Sequence, residues 1–590
     1  MRSTGLRQRD ILTSRHTLLR HILPYIVYAC MLALCTANLF FMHYRIISIT
    51  GTEAGLRHYE YLDNAASVIL DVSLLMLLFL IVTGRRMRCS LMCTYTVTLL
   101  WALANIIYAR YFGLYISVSA MTQLSNMANG FMIDCMLDGL SSSEAISGLS
   151  VILFAVLYRY ARSVRTSYQA LLWWLVPAAA TFCYNTHVVS IIAKENYDNH
   201  SFWWNMNRRY YSPIQSTLSP QLTNFTSGTL RTLSISAVNY MTASYQLDEA
   251  GRQRIEAEYK DNSLRTTPHR QRPDINNVVF IIVESYLSAI TDMKIGNTEV
   301  TPYLNALKRD SNVYYNANVH PDIAMGESSD GQFICMTGIL PLRKDITINK
   351  AQSITLPGLA TYMKQTFTGI QTRMIIPTLP SFWSQNNMCQ QYGFDRLYSA
   401  TDYMDSRYGS LNDEQIFDLA MSVDEVSSGP FFTVILTMSM HSPYSHPTDT
   451  GNILTDSTLP EKFCNYLTAA HYTDKQIAEY LEHLKTKGLY DKTLIVIAAD
   501  HHAHSPLFDM EDKLPTDTPL YIINGNIDNN TAWHGPCHQL DIYTTILDVL
   551  AIDAQWHGLG HTLLNSSYTP SVNENIYELS EAIIHGDYFK

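Results

Sequence analysis

Residues 277–285 read Asn-Val-Val-Phe-Ile-Ile-Val-Glu-Ser. The apolar part is continuous, without the alternation of a half-buried strand, as expected of a strand covered on both faces of a parallel sheet. It then stops abruptly at Glu284-Ser285. Two later stretches repeat the pattern. Residues 431–436, Phe-Phe-Thr-Val-Ile-Leu, run through 437–440 into His441, and residues 494–499, Leu-Ile-Val-Ile-Ala-Ala, run into Asp500-His501-His502. Helical periodicity fills the chain between these runs, and that alternation is the signature of an α/β domain. In open α/β sheets ligands bind beyond the carboxyl ends of the strands. Three buried strands delivering Glu284, His441 and Asp500-His501 to one edge therefore outline a site, although each residue taken singly reads as a cap or a solvated group.

Carboxylate and imidazole donors suit a divalent ion such as Zn²⁺ or Mn²⁺. A fourth ligand is wanted, and Gly326-Glu-Ser-Ser-Asp-Gly331 offers one, with hydroxyls among small residues ahead of the apolar stretch 333–336. A serine hydroxyl is a weak nucleophile until a base or a metal lowers its pKa, so a metal-bound Ser328 would be ligand and nucleophile together. Ser-Ser-Asp also suits a helix N-cap. The two readings are compatible, since a helix N-terminus helps to hold a phosphoryl group.

Outward from this domain the composition changes. The whole chain of 590 residues is 16% charged, against roughly 25% for ordinary soluble proteins. The deficit lies in the first two hundred residues. Residues 22–42, 91–109 and 170–193 carry no charge, and 65–84 carry only Asp71. Each is long enough to cross a hydrocarbon core of about 30 Å as a helix. A fifth candidate, 145–158, reaches spanning length only by taking in 141–144. Arginines crowd the loops at 1–21, 85–88 and 159–165, while the alternate loops 43–64 and 110–144 are richer in acids. The basic loops are thus expected in the cytoplasm, and five crossings put everything after residue 194 outside. The first span carries no small-residue cleavage site and is read as a retained anchor. A net charge of −11 argues against nucleic acid as a partner.

Asp71 is either a functional intramembrane group or a residue facing the bundle interior with a hydrogen-bond partner; the second is favoured because nothing else in the spans suggests an ion path. The ten cysteines single out no disulfide connectivity. The expected organisation is a five-helix transmembrane domain over 1–193, an amphipathic or extended connector over 194–275, and an extracytoplasmic α/β catalytic domain with a mostly parallel central sheet over 276–590.

The catalytic domain resembles the sulfatase/alkaline-phosphatase superfamily, and within it the lipoteichoic acid synthase and phosphoethanolamine transferase branch. The resemblance rests on the order and spacing of 277–285, Thr301-Pro-Tyr-Leu-Asn-Ala-Leu307, Gly326-Glu-Ser-Ser-Asp-Gly-Gln-Phe333, Tyr392-Gly-Phe-Asp395, His441-Ser-Pro-Tyr444, Ala499-Asp-His501 and His538-Gln-Leu-Asp-Ile-Tyr-Thr-Thr-Ile-Leu547. It implies that Glu284, Asp500, His501 and Ser328 hold one divalent metal, that Ser328 is the nucleophile where the family more often has threonine, and that His441 contacts the phosphoryl or leaving group. Trp383 matches a headgroup-binding tryptophan. Gln385 stands where glycerol-phosphate enzymes carry arginine, which puts a glycerol-phosphate headgroup in question. His538 is taken with Trp383, His441 and Gln385 as a substrate contact. It could instead join Asp541 in a two-metal site, but Asp541 opens the helical run 542–550 and reads better as its cap. His502, His504 and His534 read as loop histidines. No C/S-x-P-x-R string for a formylglycine sulfatase occurs.

The function the resemblance implies is transfer of a phospholipid headgroup phosphate, phosphoglycerol or phosphoethanolamine. It would pass through a covalent phosphoserine to an envelope glycan or lipid acceptor, in the cytoplasmic (inner) membrane of a bacterium. A membrane-anchored phosphodiesterase or phosphatase using water is the alternative. An inactive scaffold or sensor would be expected to have lost some of Glu284, Ser328, Asp500 and His501, and all are present. A transporter is disfavoured because the spans lack paired broken helices.

Overall fold

A computed structural model of the chain describes residues 4–50, 58–112, 114–123, 134–136, 140, 144–192, 220–242, 247–260 and 264–267. It also describes 273–590, apart from 344, 404–409, 426–428, 443, 445–453, 455, 504–507 and 509–513. The chain divides into two compact units, one formed by Met1–Val118 with Asp138–Thr242, the other by Ser119–Leu137 with Ala243–Lys590.

The first unit is all helical: α1 (Thr4–Thr50), α2 (His58–Val82), α3 (Met87–Phe112), α4 (Ala145–Tyr160), α5 (Tyr168–Ile192), α6 (Pro220–Ser227) and α7 (Thr229–Thr242). Among the described residues, three stretches are long and apolar enough to cross a membrane: Ile22–Thr50, Tyr61–Val82 and Met87–Phe112. At the places expected for the fourth and fifth spans the described apolar helical stretches, Ala145–Tyr160 and Leu171–Thr181, are shorter than those three. Helix α1 buries Met31, Cys35, Leu39, Met42 and Ile46, a seam at three- and four-residue spacing, in one cluster with Leu91, Tyr95, Ala102 and Ile106 of α3. The opposite surfaces leave Leu78, Ile81, Leu149, Ile152, Leu172 and Trp173 exposed, an apolar exterior that suits lipid and would be a liability in water.

Several polar groups inside this bundle are paired. Asn38 donates to Thr98 and Glu144 joins Arg45 and Arg110. Asp71 follows the second of its two readings: its carboxylate accepts the backbone N–H groups of Thr229 (2.7 Å) and Leu230 (3.2 Å) at the start of α7. It caps a helix whose first amides would otherwise lack acceptors.

The second unit is built on an eight-stranded sheet. Its strands are β1 (Asn277–Val283), β2 (Val313–His320), β3 (Gln371–Ile375), β4 (Arg396–Tyr398), β5 (Phe431–Leu436), β6 (Thr493–Ala499), β7 (Thr518–Ile523) and β8 (Cys537–His538). Their order is β8-β2-β7-β6-β1-β5-β3-β4. All neighbours are parallel except at β7, which is antiparallel to both β2 and β6. The three runs picked out in the sequence are adjacent at the centre, with Ile282 opposite both Leu436 and Ala498, and every residue of β1, β5 and β6 is buried. Their continuous apolar sequence has this cause: both faces are covered. The helices of this unit include α8 (Glu249–Lys260), α9 (Ser328–Thr337), α10 (Asp413–Glu425), α11 (Glu461–Thr486) and α12 (Asp541–Val549). Of the stretch expected as a connector, 194–219 lies outside the described residues, α6 and α7 belong to the first unit, and α8 belongs to the second. None of the ten cysteines is in a disulfide.

Candidate active site

Parallel neighbours in register end together, so the polar residues that follow β1, β5 and β6 emerge side by side. The backbone continues the ladder just past the strands, Asp500 N–H donating to Val283 O and Thr437 N–H to Ile282 O. Side chains then tie the loops together: Thr437 Oγ1 accepts from Glu284 N–H, and Asp500 Oδ1 accepts from the backbone N–H groups of Ser285 and His501.

The fourth group arrives on α9. Glu327, just before it, has a left-handed backbone (φ 45°, ψ −117°), a conformation that carries strain in a non-glycine residue and is found most at functional sites. Asp330 braces the approach by accepting from Ala324 N–H and Gly326 N–H. The helix can come this close to β6 only because residue 331 is glycine: a Cβ there would lie 2.0 Å from the carbonyl oxygen of Asp500. Ser328 is thereby held at a helix N-terminus over the sheet edge.

Four groups converge. Ser328 Oγ lies 3.1 Å from His501 Nε2 and 3.5 Å from Glu284 Oε2. His501 Nε2 is 3.4 Å from Glu284 Oε1 and 3.6 Å from Asp500 Oδ2. One donor atom each from Glu284, Asp500 and His501 falls within 4.8 Å of the other two, and all three residues are buried. His501 Nδ1 is 2.8 Å from the carbonyl oxygen of His502, which assigns that nitrogen the proton and leaves Nε2 as the lone-pair donor. Burial and then Glu284 push the Asp500 carboxyl up to about 7. Burial opposes the charging of His501, but Asp500 and Glu284 overcome it and push the imidazole up to about 9. Two carboxylates and an imidazole thus face one point, and a cation that displaced the Nε2 proton of His501 would meet oxygen and nitrogen lone pairs there. A divalent cation of oxygen and nitrogen preference fits that set.

A cavity adjoins the cluster, lined by Glu284, Ser328, Asp500 and His441 and, further out, by Gln332, Thr378, Phe382, Trp383, Gln385 and Met438. Trp383 and Ser384 both take left-handed backbone angles (φ 48° and 50°), another place beside this cavity where strain is retained. The His441 ring sits against the Ser442 carbonyl through Nδ1. Burial works against its protonation, but its contacts with Cys135 and that carbonyl raise its pKa overall. Cys135, from the loop between α3 and α4, donates to Ser442 O at 3.1 Å and lies 4.0 Å from His441 Nδ1. Nothing in its sequence context marked it, since the pairing spans 306 positions.

The expected substrate contacts divide. Trp383, His441 and Gln385 line the cavity and His538 does not. His538 instead packs against Asp322, Nδ1 to Oδ1 at 2.8 Å, beside Gln539, whose Nε2 donates to the carbonyls of Ala499 and Asp500. Asp541 accepts from His538 N–H, His561 N–H, Tyr568 OH and Ser571 OH, so it serves as a structural anchor at the start of α12. The His534 ring bridges two backbone carbonyls of its own surroundings, and His504 lies outside the described residues. Gln332, one turn after Ser328 on α9, was not anticipated; the i, i+4 spacing from the serine is the signal that could have found it.

Residues 276–552 match the family model described as Sulfatase. Lipoteichoic acid synthase 2 of Bacillus subtilis is 24% identical over 77% of this chain and 70% of its own length. Lipoteichoic acid synthase of Staphylococcus aureus (strain USA300) is 25% identical over 47% of this chain and 46% of its own. Residues 276–552 form a domain of the sulfatase family, and the curated relatives it resembles are lipoteichoic acid synthases. The chain is an enzyme of the phosphotransferase class, and members of this superfamily use divalent metals. It spans about half the length of the staphylococcal relative. Among solved structures, the lipoteichoic acid synthase LtaP from Listeria monocytogenes aligns with a TM-score of 0.46 at 19% identity, covering 53% of this chain and 81% of that one.

Proposed function

We propose that the chain transfers the phosphate-bearing headgroup of a membrane phospholipid, phosphoglycerol or phosphoethanolamine, to a hydroxyl of an envelope glycan or lipid, through a covalent intermediate on Ser328. The observation that carries the reading is the meeting of Ser328 Oγ with Glu284, Asp500 and His501 beside a cavity that His441 also lines.

In this reading Glu284, Asp500, His501 and Ser328 hold one divalent cation, Mn²⁺ or Zn²⁺. When bound, it supplies Lewis-acid charge to the nucleophile and the phosphate oxygens. Ser328 Oγ attacks phosphorus, the P–O bond to diacylglycerol breaks, and the acceptor hydroxyl later displaces the serine so that each step exchanges one P–O bond for another. His441 holds the proton that passes to the departing oxygen and is taken back from the attacking one. The α9 N-terminus orients the phosphoryl oxygens toward its amides. Trp383 and Gln385 contact the headgroup.

The membrane unit supports the same reading, since an anchored site sees its lipid donor at high effective concentration. Five crossings, with the basic loops in the cytoplasm, would place the catalytic unit outside the inner membrane of a bacterium. The division at 1–193, 194–275 and 276–590 belongs to the same proposal.

The test is purification from membranes followed by mass measurement of the peptide containing Ser328. A phosphoglycerol or phosphoethanolamine adduct, with diacylglycerol released from labelled lipid and label arriving on an added glycan, is the expected result. Full activity in Ser328→Ala would sink the proposal. Diacylglycerol release with label reaching only water would replace transfer by hydrolysis.

A further inference from the structure

The cavity beside the cluster has an uneven chemistry. Among the described residues, the ionisable groups lining it are Glu284, Asp500 and His441, with no lysine or arginine. The same cavity is lined by Trp383 and Gln385. Gln385 is 3% exposed. Its Nε2 donates to Gln332 Oε1 at 2.8 Å, while its own Oε1 is buried with no donor among the described residues. Gln332 rides on α9 one turn beyond Ser328, so the pair holds that acceptor oxygen at a set reach from the nucleophile. A buried acceptor left without a donor is costly unless a ligand completes it.

We infer that Gln385, held by Gln332, is the specificity-determining acceptor of the headgroup cavity and selects a headgroup that ends in an ammonium group over one that ends in neutral hydroxyls. This rests on the transfer reading above and deepens it. An ammonium brings N–H donors to Gln385 Oε1 and a positive charge to the Trp383 face, a cation–π pairing that a polyol does not make. A headgroup with a distal anion meets no lysine or arginine among the described lining residues. The α9 tether explains why Gln332 is a glutamine: its oxygen occupies the Gln385 amide nitrogen and turns the Gln385 oxygen over as the unsatisfied atom.

The experiment uses the full chain in vesicles containing either phosphatidylethanolamine or phosphatidylglycerol, read by diacylglycerol release and by the mass on Ser328. The expected preference in kcat/KM is about tenfold or more for phosphatidylethanolamine, the size of one well-placed hydrogen bond to a charged group. Gln385→Leu collapses that ratio to within about threefold by slowing the amine lipid more than the glycerol lipid. Gln385→Glu, which keeps the size and strengthens the acceptor, retains or raises it and guards against a merely misfolded Leu variant. Equal or faster use of phosphatidylglycerol by the native chain, or an unchanged ratio in Gln385→Leu, overturns the inference and leaves the transfer reading standing. No diacylglycerol from either lipid, together with no adduct on Ser328, overturns both.

Discussion

The hydroxyl oxygen of Ser328 lies 3.1 Å from Nε2 of His501, two groups separated by 173 positions in the chain. The contact exists because β6 ends beside β1 while α9 begins above that edge, and its consequence is a hydroxyl held where an imidazole lone pair and two carboxylates meet. If that hydroxyl is the nucleophile, the identity of its carbon skeleton is secondary. Ser328→Thr is expected to keep activity within about tenfold, whereas Ser328→Ala loses about 10³-fold or more, the scale of removing a covalent nucleophile. Initial rates of diacylglycerol release from labelled vesicles measure both.

The carboxylates of Glu284 and Asp500 repel each other in the absence of a cation. A divalent ion should therefore stabilise the folded chain as well as activate it. At a concentration about a hundredfold above its Kd the increment is about 2.7 kcal/mol. Thermal unfolding in detergent with and without Mn²⁺ or Zn²⁺ reads it, a chelator reverses it, and Asp500→Asn abolishes it.

Gly331 tests the closeness of helix to strand. A methyl group there would overlap the Asp500 carbonyl, so Gly331→Ala must push α9 off β6. The expected cost is about 2–3 kcal/mol, seen in denaturant unfolding. Activity should fall further than stability, because Ser328 moves with the helix.

Arg373 and Asp424 form a buried ion pair, with Thr433 accepting from Arg373 Nε and Tyr480 donating to Asp424. Truncating Arg373→Ala strands a carboxylate in the core and is expected to cost about 3–5 kcal/mol. The double variant Arg373→Met with Asp424→Leu should recover most of that loss. An additive result in the double-mutant cycle would mean the pair is not coupled.

Asp474 on α11 accepts the N–H groups of Tyr303 and Leu304 at the start of a one-turn helix. Burial pushes its carboxyl up to about 6, and those two N–H groups pull it down only in part. With a folded pKa above the unfolded one, its contribution to stability is fully present below about pH 4 and is lost as pH rises through about 6. Unfolding free energies measured at pH 4 and at pH 7 should thus differ less in Asp474→Asn than in the native chain, by on the order of 2 kcal/mol.

Much of this was readable from residue order. Continuous apolar runs at 278–283, 431–436 and 494–499 identify buried parallel strands because only a strand covered on both faces can dispense with polar residues. The polar residues that end them mark the site because parallel strands in register finish at one edge. Long uncharged stretches announce membrane helices for the same reason of solvent. In each case the signal is local, one segment matched to one environment.

What lay beyond the sequence is what depends on two distant segments meeting. Whether Asp71 has a partner turned on α7 beginning beside it. His538 reads like a cavity residue, yet its strand position pairs it with Asp322. The closeness of Cys135 to His441, the clearance at Gly331 and the orphaned oxygen of Gln385 are equally invisible in order alone. The sequence by itself determined the strands, the membrane stretches and the chemical kinds of group at the site. Only the tertiary structure decided which of those groups share a cavity, because hydrogen bonds and steric clearance between segments act over a few ångströms and carry no trace in the spacing of residues along the chain.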